Sequence, residues 1–146
     1  MSEKLPVLEP RRHGKLLLLL VAYGAASLVH FGHNAEFIRD YPGLPATWTR
    51  GGVYLARLGM TCVGLFGWWM LHRNWRVAGA LVLSGYALLS LDSLGHYVVA
   101  SMTAHSVMMN VTILAEVICA ASVLVQALKL LFTRQPLALT RTDQRN

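Results

Sequence analysis

The sequence predicts an all-α integral membrane protein: a four-transmembrane-helix antiparallel bundle with both termini cytoplasmic. Three observations point there. Apolar types make up 55% of the 146 residues and charged types 14%, against about 25% charged in soluble domains. Four apolar stretches each match a bilayer core about 30 Å thick, which takes about 20 helical residues. Basic residues gather at alternate ends of those stretches. The composition excludes a disordered chain, a nucleic-acid module with a charged face and a disulfide-stapled secreted domain.

The elements follow in chain order. Residues 1–14 form a basic tail. The first span, about 15–36, opens with five leucines, Leu16 to Leu20. It is longer than a cleavable signal core of about 7–15 residues, so it is expected to be retained. The connector that follows contains Pro42 and Pro45, which cannot continue a helix. Tyr41 and Trp48 there suit a membrane interface. The second span covers about 52–71 and the third about 77–99, joined by His72 to Arg76. A very short connector at 101–103 leads into the fourth span, about 104–131. A second tail covers 133–146; its residues Pro136 to Asn146 have no apolar periodicity and are expected to be disordered. No connector can hold a soluble domain, so residues 15–132 form one unit.

Orientation follows from the basic residues. Lys4, Arg11, Arg12, Lys15, Arg73, Arg76, Lys129, Arg134, Arg141 and Arg145 fall on one side; Arg39 and Arg50 fall on the other. The first side is therefore expected to be cytoplasmic. A multi-pass protein of a bacterial-type inner membrane, or an equivalent, fits. The net charge of +6 is then a matter of topology and anionic headgroups. The lipid bilayer is the expected partner, with no nucleic acid. Gly59, Gly64 and Gly67 permit close helix approach, so a homodimer or a partner membrane subunit is also compatible.

Polar residues on the spans carry the functional signal. His30, His33, His96 and His105 all fall near the outer ends of three spans. Helical spacing gives each span one polar or small stripe: Tyr23, Ala26, His30 and His33; Arg57, Thr61, Gly64 and Trp68; Gly85, Leu89, Asp92 and His96; His105, Met109, Thr112, Glu116 and Cys119. In lipid these stripes turn inward, because charge facing hydrocarbon costs several kcal/mol. At 1.5 Å per residue, Asp92 lies about 6 Å below His96, and Arg57 lies at a similar depth. A buried Arg57–Asp92 ion pair is therefore expected. Glu116 lies about 16 Å below His105, with Tyr23, Ser84 and Tyr86 as its apparent neighbours. An isolated carboxyl at that depth is expected to carry its proton, as a cross-helix hydrogen-bond donor or as a proton-relay station.

Imidazoles suit zinc, copper and iron. His30 with His33, Asp92 with His96, lone His105, and Glu36 above them form the candidate ligand set for a metal site at the outer face. Redox chemistry, hydrolysis and metal handling all remain open. A bis-His haem b, with His33 facing His96 or His30 facing His105, is the rival cofactor. The third alternative is a non-catalytic structural or assembly subunit, since polar residues can serve only to hydrogen-bond across helices. No P-loop, dinucleotide fingerprint, nucleophile elbow or HExxH motif is present.

Overall fold

The computed structural model describes residues 14–133; both tails lie outside the described residues, as do His13 and the basic residues of the tails. The chain folds as α1 (Gly14–Glu36), α2 (Arg50–His72), α3 (Arg76–Leu91), a 3-10 turn (Asp92–Gly95), α4 (His96–Val99), a second 3-10 turn (Met102–Ala104) and α5 (Val107–Phe132). No strand occurs among the described residues. α1 packs on α2 and α5, and α3 packs on α2 and α5, closing a ring of helix contacts.

Three segments are long and apolar enough to cross a membrane: Gly14–Glu36, Arg76–Val99 and Val107–Phe132. α2 is equally long but falls outside that class. Its 23 residues include Arg50, Arg57, two tryptophans and five glycines, all of which lower mean hydropathy. The outer surface is nevertheless apolar, with Leu18, Leu55, Val98 and Val107 all prominently exposed. An apolar exterior on this scale is what a lipid environment accommodates and water does not.

The local chemistry explains the element ends. Thr49 caps α2, its hydroxyl accepting from the Gly52 amide at 3.1 Å. Ser106 caps α5 in the same way through the Met109 amide. Asn74, at φ 61°, makes the tight reversal from α2 into α3; asparagine tolerates this left-handed backbone better than most residues. The reversal forces α2 and α3 together at that end. A Cβ on Gly64 would stand 2.7 Å from the Tyr86 ring, and one on Gly67 2.9 Å from Leu83. Towards the other end the tight fit is relaxed, since a Cβ on Gly85 would meet nothing within 4 Å. The core comprises Leu16, Tyr23, Leu71, Leu83, Tyr86, Ala87, Ala120, Val123 and Ala127. Its central hydroxyl, that of Tyr23, bonds Ser90 and donates to the Tyr86 carbonyl.

The third apolar stretch differs from the continuous helix expected. α3 stops at Leu91, and a 3-10 turn carries the chain to His96. This break governs the geometry of the site.

Candidate functional site

At the end opposite Asn74, α1, α5 and the 92–106 segment surround a polar cluster. His30, His96, His105 and Glu116 are each less than a tenth exposed, and Glu116 is fully buried. The His96 ring lies 5.6 Å from that of His30 and 6.1 Å from that of His105. His96 is thus the neighbour of both other imidazoles, one on α1 and one further along its own 92–106 segment.

The hydrogen bonds assign protons. The single proton of the Thr112 hydroxyl goes to the Met109 carbonyl. Thr112 can therefore only accept from His30 Nδ1, 3.4 Å away, which leaves the Nε2 of a neutral His30 as a lone pair. That nitrogen faces Glu116 Oε2 at 3.7 Å. His105 Nδ1 is 2.9 Å from the Ser101 carbonyl, which can only accept, so His105 Nε2 is also a lone pair in the neutral ring. Ser93 donates to Glu116 Oε2 at 2.8 Å. His96 Nε2 meets the Asn34 amide at 3.5 Å. His96 Nδ1, His105 Nε2 and Glu116 Oε1 are buried without a hydrogen-bond partner. Each such group costs about 1–3 kcal/mol.

Other expected site residues lie elsewhere. His33 is half-buried, shares a 2.9 Å hydrogen bond with the Tyr41 hydroxyl and packs on Phe37. Glu36 is on the exposed face, where Arg50 meets it at 2.5 Å and Tyr54 donates to it at 2.7 Å. Its i+3 step from His33 carries it beyond the cluster and onto α2. Asp92 is exposed. The reason is the 3-10 turn: at 3 residues per turn, positions four apart stand about 120° apart rather than sharing a face. Asp92 and His96 consequently point in different directions.

The expected Arg57–Asp92 ion pair is not formed. Arg57 is buried, and its guanidinium donates to Thr61 Oγ1 at 2.6 Å and to the Gly24 carbonyl at 2.8 Å. It therefore binds α1 and its own helix rather than the end of α3. Glu116 meets Ser93 and His30, not Ser84, whose hydroxyl is spent on the Ala80 carbonyl.

Thr112, Ser93, Asn34 and Tyr41 are the participants that sequence reasoning did not assign to the site. A signal existed for two of them. Thr112 lies four residues before Glu116, and Asn34 four residues after His30, each on the stripe of its known neighbour. Ser93 and Tyr41 depend on the 3-10 turn and on the 37–49 connector, which spacing does not encode.

Tyr41 lies outside the apolar helices, with its ring 5.1 Å from that of His96 and 5.8 Å from that of His33. Burial pushes its hydroxyl up to about 12 from an ordinary 10, against a smaller opposing effect of Thr112. The folded state favours the neutral phenol, so Tyr41 contributes stability that is full below pH 10 and is lost as pH rises towards 12. Tyr41→Phe is expected to flatten the fall in melting temperature across that alkaline window, as followed by circular dichroism.

Among the described residues, no group of three or more His, Cys, Asp or Glu side chains is already drawn together to hold a metal ion. No protein-family model matches the chain, and neither a curated protein nor a solved structure matches it.

Proposed function

We propose that the chain is a four-span antiparallel bundle, α2 being the fourth span, with both termini cytoplasmic. In this reading it binds a first-row transition metal near the outer face through His30, His96, His105 and Glu116. One observation carries the reading: His30 Nε2 faces Glu116 Oε2, while His96 Nδ1, His105 Nε2 and Glu116 Oε1 are buried without a hydrogen-bond partner. Two donors each about 2 Å from one ion stand about 3–4 Å apart, which brackets the 3.7 Å between His30 Nε2 and Glu116 Oε2. Thr112 and the Ser101 carbonyl orient His30 and His105 through Nδ1, as outer partners of metal-binding imidazoles do. His96 and His105 then change rotamer to complete the set. Zinc, copper and iron all suit this donor chemistry.

The haem b alternative draws less support. Tyr41 packs against both His33 and His96 and is hydrogen-bonded to the former, which crowds that pair. The structural-subunit reading is favoured by one observation, that no ligand set is assembled in advance among the described residues.

Elemental analysis of detergent-purified protein separates these readings. The expected result is stoichiometric metal that His30→Ala and His105→Ala each remove, while His33→Ala and Glu36→Gln retain it. A wild-type protein that stays metal-free after titration with zinc, copper and iron salts would leave the structural reading standing.

A further inference from the structure

Where α2 and α3 part company beyond Gly64, a cavity of about 700 Å³ opens. Its walls include Trp48, Met60, Leu89 and Asp92, together with His30 and His96 of the polar cluster. A second, shallower groove of about 660 Å³ runs along the same helix pair past Val63, Val82, Gly85 and Leu88. Leu89 and Asp92 line both, so the two adjoin at these residues. Gly85 opens the groove, since a side chain there would touch nothing within 4 Å.

The charge in this space is one-sided. The chain carries a net +6, yet no Lys or Arg lines either cavity, and Asp92 is the carboxylate at their junction. Asp92 forms no ion pair among the described residues. An exposed carboxylate at the end of an apolar helix is costly in lipid unless a cation or water meets it. Apolar walls of this size hold a drug-sized molecule, and Trp48 offers a ring face to a positive charge.

The geometry points to a binding site for a lipophilic organic monocation, its charge at Asp92 and its apolar body in the α2/α3 cavity. The occupant enters sideways from the bilayer along the Gly85 groove. The cavity shares His30 and His96 with the metal reading, but the charge contact at Asp92 and the route past Gly85 use none of the proposed ligands.

Tetraphenylphosphonium is the probe, with binding measured by equilibrium dialysis against protein in a neutral detergent and empty micelles as the blank. Saturable binding to the wild type is expected, weakened at least tenfold in Asp92→Asn and largely restored in Asp92→Glu. Asp92→Asn should melt with the wild type, which shows that the loss is not unfolding. Gly85→Leu should weaken a long-tailed probe, dodecyltriphenylphosphonium, severalfold while leaving tetraphenylphosphonium unchanged. Equal binding by Asp92→Asn, or equal binding of neutral triphenylphosphine oxide, overturns the assignment of the charge. An unchanged dodecyl probe in Gly85→Leu overturns the entry route. Binding that survives His105→Ala, a residue outside both cavities, separates this site from the metal centre.

Discussion

Gly79→Leu destabilises the protein by about 1–3 kcal/mol or more, the cost of forcing extra carbons into a filled contact. A Cβ at this position would stand 2.8 Å from the Leu71 side chain and 2.9 Å from the Leu71 backbone nitrogen. A side chain can rotate away, but the backbone of a helix held by the Asn74 reversal cannot. The substitution therefore pushes α3 off α2. Thermal unfolding of the detergent-solubilised protein, read by circular dichroism, measures the effect. Gly59→Ala is the matched control: its Cβ meets nothing, and replacing glycine inside a helix gains about 1 kcal/mol in propensity. The two glycine substitutions should thus move the melting temperature in opposite directions. A Gly79→Leu protein as stable as the wild type would mean that α2 and α3 do not pack as described.

Tyr23→Ala should cost about 3–5 kcal/mol, the range for deleting a buried aromatic side chain. Tyr23 is fully buried, its ring lies 4.6 Å from that of Tyr86, and its hydroxyl ties α1 to Ser90 and to the Tyr86 carbonyl. Both packing and hydrogen bonding are lost. Tyr23→Phe separates them: it keeps the ring and leaves the Ser90 hydroxyl short of its partner, for about 1–3 kcal/mol. The same unfolding measurement ranks the three proteins. If Tyr23→Phe were as harmful as Tyr23→Ala, the hydroxyl rather than the ring would hold α1 in place.

Much of this architecture is legible in the residues themselves. The leucine run from Leu16, the prolines after Arg39 and the His72–Arg76 reversal mark where helices start, stop and turn. The inward stripes carry His30, Thr112 and Glu116 to one place because α1 and α5 are regular, so 3.6-residue arithmetic holds along them. It fails at Asp92. A 3-10 turn replaces the helix there, and a change of 20° per residue accumulates into a different face within four residues. The Arg57–Asp92 pair is not formed, and Asp92 is exposed where His96 is buried. Glu36 shows a different limit. Periodicity gives its direction on α1, but whether a neighbouring helix supplies Arg50 and Tyr54 is a tertiary matter.

The Asp92–Gly95 turn has a further consequence. His30 and Glu116 ride on long helices whose opening requires disrupting the core. His96 and His105 ride on residues 92–106, where α4 is a single turn and side-chain bonds of Asn110 with Met102 and Tyr97, of Ser93 with Glu116 and of Asn34 with His96 do the tethering. Segments of this kind open locally at a fraction of the global free energy. Half of the polar centre thus owes its position to a handful of side-chain bonds, while the packed helices themselves fix the other half.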